Sequence, residues 1–183
     1  DGTKEFIKKN GEFTVIIALI EDGTPVVGVV YVPAQGRTYA GVKNAGSFAA
    51  AGGAPTPIAN TIHYSQKNKV TVVGSRSHLS PETLQFVDSL KAQGKEVEFR
   101  SSGSSLKLCL VAEGAADVYP RFGPTMEWDT AAAHAVALVQ VHEGARRGEL
   151  QAARISGPVA SQFPVVAQDD VQHRARAVGR ISR

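Results

Sequence analysis

The chemistry this sequence could perform is suggested first by an aspartate beside a predicted helix. Asp1 stands before Gly2 and Thr3, and residues 4–11 predict a short helix closed by Asn-Gly. A helix that starts just after Gly-Thr directs free backbone N–H groups and its positive dipole end toward an anion. A carboxylate at that point would hold a phosphate and a divalent metal ion next to each other. The simpler interpretation is that Asp1 only caps the helix.

A second aspartate, Asp129, begins an alanine-rich segment that predicts a helix over residues 127–140. An aspartate there is usually an N-cap or first-turn residue, and alone it supports no metal site. Mg²⁺ is commonly bound by one or two protein carboxylates together with waters and substrate oxygens. Asp1 and Asp129 therefore predict a metal site only as a pair that the fold brings together.

Three polar groups stand at the ends of predicted elements. They are residues 75–78 with His78 after a strand, residues 103–107 with Ser104 and Lys107 opening a helix, and residues 119–123 with Arg121 leaving a strand. Ligand sites of layered α/β proteins gather at such ends, and Lys and Arg supply charge and donors to phosphate. Taken one at a time, a loop histidine, a capping serine and solvated basic side chains explain them. Together they favour a phosphorylated ligand.

Other reactive side chains indicate no second chemistry. Cys109 lies inside an apolar helical pattern, which favours a buried, inert thiol over a nucleophile. His134 stands among alanines and is most simply a core or surface histidine. The P-loop, Gly-x-Gly-x-x-Gly and Gly-x-Ser-x-Gly motifs do not occur in the sequence, so nucleotide binding would not use a P-loop.

Strands and helices must position these residues. Two β-branched runs at residues 13–20 and 25–32 are joined by an Asp-Gly turn, which predicts an antiparallel hairpin. Residues 37–42 predict a third strand. The Gly- and Ala-rich stretch at 44–57, with two prolines, predicts a loop and an irregular crossover.

Downstream of that stretch, strands and helices are predicted to alternate. Predicted strands cover residues 70–74, 96–100 and 117–121, and predicted helices cover residues 80–94, 104–114 and 127–140. Sustained periodicity is lost beyond Gln140. This order predicts a layered α/β fold in which an antiparallel sheet is followed by a mixed second sheet, with helices flanking both.

Composition excludes several classes of protein. The 183 residues are 43% hydrophobic and 20% charged, which is typical of a folded domain with a sizeable core. The longest apolar runs are eight residues long, against the roughly 20 that cross a bilayer. The single cysteine excludes an internal disulfide framework and favours a reducing, cytoplasmic setting. Met126 is the only methionine, and the amino terminus is expected to be cut.

The net charge of +3 resides entirely in the carboxy-terminal tail. Residues 1–140 contain 13 basic and 13 acidic side chains, whereas residues 141–183 contain seven Arg, no Lys and four acidic side chains. The neutral body gives no indication of a nucleic acid polymer as partner. Peripheral contact with the cytoplasmic face of the inner membrane needs no spanning segment, and the sequence leaves it open together with the oligomeric state.

Several motifs resemble, in their order, the inositol monophosphatase superfamily. They are residues 1–6 (DGTKEF), 11–15 (GEFTV), 103–107 (GSSLK), 119–125 (YPRFGPT) and 128–132 (WDTAA). The Asp-Gly-Thr and Trp-Asp motifs are typical of the superfamily, while Lys-Glu-Phe and Tyr-Pro-Arg-Phe-Gly-Pro-Thr are typical of its bisphosphate nucleotidase branch. The resemblance covers residues 1–140 and implies the αβαβα sandwich of the sugar phosphatases, incomplete in this chain.

The resemblance implies a Mg²⁺-dependent 3′(2′),5′-bisphosphate nucleotidase of sulfate assimilation, with two or three ions in the complete site. Its substrates would be adenosine 3′,5′-bisphosphate, which gives AMP and phosphate, and 3′-phosphoadenylyl sulfate. Asp1 and Asp129 match metal ligands, and Thr3 matches the position that helps to orient the attacking water. Gly2 and Thr3 match positions that meet the phosphate. Positions that contact the nucleotide are matched by His78, Ser104, Lys107 and Arg121.

Two departures accompany the resemblance. The family motif Asp-Pro-x-Asp-Gly-Thr begins before this chain does, so the first Asp, a carbonyl ligand and an upstream Glu of the metal site are expected to be missing. Residues 141–183 match nothing in the family, and their switch from Lys to Arg is what a shifted reading frame or a gene-fragment junction would produce. Two alternatives stay open: an inositol- or sugar-phosphate phosphatase, and an inactive fragment that binds nucleotide weakly.

Overall fold

The computed structural model describes residues 1–58, 64–75, 80–122 and 126–146, whose main elements are four α-helices and seven strands. The elements are α1 (Thr3–Ile7), β1 (Val15–Glu21), β2 (Thr24–Val32), β3 (Arg37–Val42), β4 (Gly46–Ala51), β5 (Thr56–Pro57), β6 (Lys69–Gly74), α2 (Pro81–Ala92), β7 (Glu96–Ser101), α3 (Leu106–Ala112) and α4 (Glu127–Arg146). The helices predicted at residues 80–94, 104–114 and 127–140 are confirmed, and α4 continues to Arg146.

The predicted hairpin of β1 and β2 is confirmed and belongs to a five-stranded antiparallel sheet. Its strand order is β1-β2-β3-β4-β5. Asp22 and Gly23 in the turn both have positive φ, 48° and 74°, which brings the two strands back together with the right-handed twist of the sheet. The predicted third strand is β3, paired antiparallel to β2. Each connection up to β4 is short, so the sheet is built from neighbours in sequence.

The loop and irregular crossover predicted at residues 44–57 are wrong, because this stretch forms β4 and β5. β4 pairs with β3 over its whole length. Its small residues fit because α4 lies directly on them: Ser47 Oγ donates a 2.6 Å hydrogen bond to the carbonyl oxygen of Val136. Small side chains that suggest a loop in the sequence are therefore the ones that a closely packed helix requires.

α4 packs across one face of this sheet at unusually short range. Gly28 and Gly41 lie under the helix, and a β-carbon at Gly41 would stand 2.6 Å from the Ala135 carbonyl oxygen. The alanines of α4 and these glycines let the backbones approach so closely that no larger residue fits. The main apolar core lies between α4, α3 and the sheet, and it includes Val30, Tyr39 and Val136.

α3 is attached to the first sheet by a polar contact at its carboxyl end. Glu113 Oε2 accepts a hydrogen bond from Arg37 and a 3.0 Å hydrogen bond from Tyr39 Oη, both on β3. Burial, followed by the nearby Glu113 carboxylate, raises the pKa of Tyr39, so the phenol stays protonated and keeps donating. This contact fixes the carboxyl end of α3 relative to the first sheet.

The second sheet contains β6 and β7, which pair in parallel. α2 connects them; Ser80 caps this helix by accepting a 3.3 Å hydrogen bond from the Thr83 amide, and Pro81 occupies the first turn. A second, smaller core of Val70, Phe86 and Leu90 lies between α2 and this sheet. β7 ends at Ser101 and α3 begins at Leu106, so the carboxyl end of this strand lies close to the start of α3.

The strand predicted at residues 117–121 is reduced to a single parallel bridge between Val118 and Val72. Asp117 uses its carboxylate to bind the Lys67 ammonium and the Thr71 amide. Pro120 has no N–H group to continue the ladder, which explains why pairing stops. Both pairings that the structure describes in this sheet are parallel, so the expected mixed sheet is corrected to a parallel one.

The face of the first sheet opposite α4 is apolar and exposed. Val15, Ile17 and Leu19 alternate along β1 on that face, and Tyr31 lies across from Val15 on β2. Within the described ranges, no helix has both the length and the apolar composition needed to cross a bilayer.

Candidate active site at the start of α3

Asp1 is held between the residue that precedes β1 and the residues that precede α3, although these two segments are far apart in sequence. Its backbone exchanges two hydrogen bonds with Thr14, one from the Asp1 nitrogen at 2.7 Å and one from the Thr14 amide at 2.9 Å. Its carboxylate Oδ2 accepts 2.7 Å hydrogen bonds from Ser104 Oγ and from the Ser105 amide. The Ser105 amide is one of the N–H groups that a helix start leaves free. The carboxylate therefore has a fixed orientation.

The backbone segments around Asp1 can pack closely because two of their residues are glycines. Gly2 has φ of 92°, and a β-carbon there would stand 3.1 Å from the Phe13 Cα and 3.2 Å from the Ser104 Cβ. A β-carbon at Gly103 would lie 2.7 Å from the Glu5 carboxyl carbon. The Gly103 amide donates a 2.9 Å hydrogen bond to Glu12 Oε2. The Gly-Thr and Gly-Ser-Ser motifs thus meet at one point.

Lys107 is buried next to this point, with 8% of its surface exposed. Its Nζ donates a 2.6 Å hydrogen bond to the Ser104 carbonyl oxygen and lies 5.4 Å from the centre of the Tyr119 ring. Burial, with a smaller contribution from the positive charge of Arg121, lowers the pKa of Lys107 to about 8. The carboxylates of Glu5 and Glu12 act in the opposite direction. The site therefore combines two cations with a surrounding set of acidic groups.

The structure brings together Asp1, Gly2, Ser104, Lys107 and Arg121 among the predicted site residues. Thr3 is the exposed first residue of α1. Asp129 lies in the first turn of α4 and is partly exposed, and no hydrogen bond or ion pair joins it to Asp1 within the described part of the chain. His78 lies outside the described residues.

Four contributing residues were not identified from the sequence: Glu5, Glu12, Thr14 and Tyr119. The two glutamates stand among charged or glycine neighbours that predict a solvated surface, and Thr14 stands in an apolar run. Their roles depend on contacts with α3 that are distant in sequence. The one available signal was the motif in which each lies, since all four fall inside the segments that carry the family resemblance.

The Asp1 carboxylate is suited to be one ligand of a magnesium ion. The described residues alone do not complete a metal centre. Residues 1–58, 64–75, 80–122 and 126–146 contain no group of three or more His, Cys, Asp or Glu side chains that could hold a metal ion. Asp1 Oδ2 is held by two donors, as is usual for carboxylates oriented toward a metal. Mg²⁺ takes few protein ligands, so one such carboxylate is a meaningful part of a site.

The prediction of a buried thiol at Cys109 is confirmed. His134 lies in the core, which is one of the two positions that the sequence predicts for it. Cys109 is fully buried, and burial raises the pKa of its thiol, which keeps the nucleophilic thiolate from forming. Burial lowers the pKa of His134 to about 4. Neither ring nitrogen of His134 has a hydrogen-bond partner in the part of the chain that the structure describes. Neither residue lies among the contacts of Asp1.

Comparison with known proteins agrees with this fold and these motifs. The sequence profile of the inositol monophosphatase family matches residues 1–138. The chain belongs to the inositol monophosphatase family, whose members are metal-dependent phosphatases. The predicted layered fold of this family is confirmed.

The chain is also similar to individual curated relatives and to a crystal structure from this family. The chain is 50% identical over 141 residues to the 3′(2′),5′-bisphosphate nucleotidase CysQ of Salmonella typhimurium, covering 75% of this chain and 52% of that protein. It is 48% identical over 137 residues to CysQ of Escherichia coli K12, with the same coverage of both chains. The crystal structure of CysQ from Bacteroides thetaiotaomicron superposes with a TM-score of 0.68 at 47% identity, over 76% of this chain and 56% of that one. The chain therefore spans about half the length of the curated relatives it matches.

Proposed function

We propose that this chain forms part of a Mg²⁺-dependent 3′(2′),5′-bisphosphate nucleotidase. The reaction breaks the 3′ ester bond of adenosine 3′,5′-bisphosphate with water and gives AMP and inorganic phosphate. The observation that carries the proposal is the 48–50% identity to relatives that bear this name. 3′-Phosphoadenylyl sulfate has the same 3′-phosphate and is a second candidate substrate, and either reaction belongs to sulfate assimilation. A location in the cytoplasm stays a prediction.

The charges of the site support a ligand with two phosphate groups. Lys107 and Arg121 are close enough for the second to lower the pKa of the first, so the site concentrates positive charge. Two cations suit a bisphosphate better than an inositol monophosphate, which carries one phosphate group. Lys107 donates one hydrogen bond to Ser104, and an ammonium group has three donors, so it retains donors for a phosphate.

Each predicted site residue receives a role in this proposal. Asp1 and Asp129 are the proposed ligands of Mg²⁺, which when bound makes water more acidic and stabilises negative charge on phosphate. Gly2 and Thr3 are proposed to meet the scissile phosphate through backbone and hydroxyl groups, and Thr3 to orient the attacking water. The proposed nucleotide contacts are His78, Ser104, Lys107 and Arg121.

A chimera tests the proposed substrate. Residues 1–138 of this chain would replace the matching segment of the Salmonella relative, and phosphate release would be compared between adenosine 3′,5′-bisphosphate and inositol 1-phosphate. We expect Mg²⁺-dependent release that is faster with the bisphosphate. Faster turnover of inositol 1-phosphate would reject the nucleotidase in favour of an inositol- or sugar-phosphate phosphatase.

An inactive fragment is the second candidate, because the described residues do not complete a metal centre and the chain spans half of its relatives. A carboxylate pair without further ligands would position the attacking water poorly. We expect the 183-residue chain alone to release no phosphate in response to Mg²⁺. Clear Mg²⁺-stimulated activity of the purified chain would contradict this expectation, while the chimera would still test the substrate.

A further inference from the structure

Thr14 connects Asp1 to the two serines that precede α3. It is 2% exposed, and its hydroxyl lies 2.6 Å from Ser104 Oγ and 2.9 Å from Ser105 Oγ. Its backbone is the one that exchanges two hydrogen bonds with Asp1. One buried side chain therefore contacts both serines that hold the Asp1 carboxylate.

The direction of these hydrogen bonds follows from counting protons. An ionised carboxylate only accepts hydrogen bonds, so the single hydroxyl proton of Ser104 must be donated to Asp1 Oδ2. Thr14 must then be the donor to Ser104 Oγ. Because the Thr14 proton is used in this way, Ser105 must donate to Thr14 Oγ1. The result is one directed chain from Ser105 through Thr14 and Ser104 to Asp1.

We propose that Thr14 is a positioning residue that fixes the orientation of the Asp1 carboxylate through Ser104 and Ser105. The inference rests on the proposed function in that Asp1 is taken as a ligand of the proposed Mg²⁺. Thr14 does not touch substrate in this arrangement. It orders the two serines, and hydrogen bonds in such a chain polarise and strengthen one another.

Removal of the Thr14 hydroxyl should allow the Asp1 carboxylate to rotate without leaving a cavity in the core. Thr14→Val keeps the shape of the side chain but deprives Ser104 Oγ of its donor and Ser105 Oγ of its acceptor. Both serine hydroxyls can then rotate to other partners, and the Asp1 carboxylate keeps the Ser105 amide but loses the restraint that the ordered Ser104 hydroxyl imposes. Thr14→Ser keeps the hydroxyl and removes only a buried methyl group. The pair of variants thus separates hydrogen bonding from packing.

The first measurement uses the 183-residue chain without metal. Hydrogen exchange of the Ser105 amide, which donates to Asp1, would be followed by NMR in the parent, in Thr14→Val and in Thr14→Ser. Thr56→Val is the matched control, since Thr56 also donates a hydroxyl hydrogen bond, at 3.2 Å to the Ala49 carbonyl, away from Asp1. We expect exchange at Ser105 to become roughly tenfold faster in Thr14→Val and to stay near the parent rate in the other two variants.

The second measurement uses the chimera and reads out the metal. We expect Thr14→Val to weaken Mn²⁺ binding, followed by electron paramagnetic resonance, and to lower kcat, each by roughly 10- to 100-fold. The KM for adenosine 3′,5′-bisphosphate should stay near the parent value, and Thr14→Ser should recover kcat and metal affinity.

The outcomes separate the two proposals. A parent chimera without bisphosphatase activity rejects the proposed function, while Ser105 exchange still decides whether Thr14 orders Asp1. Unchanged exchange and metal affinity in Thr14→Val would overturn the role of Thr14. Equal losses in Thr14→Val and Thr14→Ser would also overturn it, because they would show that packing and not the hydroxyl is responsible.

Discussion

Lys107 carries an ammonium group in a largely buried position, where burial and Arg121 lower its pKa to about 8. Below that pH the group is charged and can bind phosphate, and above it the neutral amine has lost the charge. A bound phosphate raises the pKa again, so binding takes up a proton in this range. Nucleotide phosphates are fully ionised above about pH 7 and add no pH dependence of their own.

We therefore expect the affinity for adenosine 3′,5′-bisphosphate to fall on the order of tenfold between pH 7 and pH 9. Calorimetry of the chimera without divalent metal would measure binding in the absence of turnover, with proton uptake read from buffers of different ionisation enthalpy. Lys107→Met should bind weakly at every pH, whereas Lys91→Met on the exposed face of α2 should behave as the parent. Constant affinity up to pH 9 would show that Lys107 does not meet the phosphate.

Residues in motifs at the ends of elements could be identified from the sequence, and those that act across the fold could not. Asp1, Ser104 and Lys107 were found because each stands where a helix begins. Thr14 was not, because its partner Ser104 lies 90 residues away and nothing local marks that contact. Apart from the motif at residues 11–15, its sequence signal is a hydroxyl at the edge of the apolar run at residues 13–20, which a half-buried strand also tolerates.

At the scale of elements, the contact between α4 and the first sheet determines whether the site can assemble. α4 carries Asp129 and is held on the sheet by backbone approach over Gly28 and Gly41. A β-carbon at Gly28 would stand 2.8 Å from the Ala132 carbonyl carbon and closer still to its oxygen. Backbone atoms cannot turn aside as a flexible side chain would, so the whole helix would have to move.

Gly28→Ala should therefore lower the free energy of unfolding by about 3 kcal/mol, at the upper end of typical overpacking costs. Gly53→Ala is the control, because a β-carbon there meets no atom within 4 Å and φ is not positive. Urea unfolding followed by circular dichroism would compare the two variants with the parent. A Gly28→Ala variant as stable as the control would mean that α4 does not lie this close to the sheet.

Local signals predicted the elements that are fixed locally. The β1–β2 hairpin follows from its Asp-Gly turn, and α2 follows from its Ser-Pro start. The Gly and Ala residues and the two prolines at residues 44–57 predict a loop, but the packing of α4 favours small residues in a strand at β4. The strand expected at residues 117–121 failed for the opposite reason, since its β-like residues stop pairing at Pro120.

At the scale of the whole molecule, an apolar sheet face lies within a part of the chain, residues 1–140, that has no net charge. Side chains on both faces of β1 and β2 are apolar, a pattern typical of strands that are covered on both sides. α4 covers one face, while Val15, Ile17 and Leu19 are exposed on the other. Residues 1–140 are neutral overall, so charge repulsion does little to keep two such faces apart. We therefore expect the chain to have low solubility.

Ile17→Lys should raise solubility because Ile17, at 69% exposure, lies at the centre of the apolar row on β1. The same exposure implies a change in unfolding free energy of less than about 0.5 kcal/mol. Gln85→Lys on the exposed surface of α2 adds the same charge and leaves the sheet face intact. We expect light scattering at a given concentration to fall several-fold in Ile17→Lys and little in Gln85→Lys. Equal improvement in both would assign the low solubility to net charge, because only one of the two substitutions shrinks the apolar face.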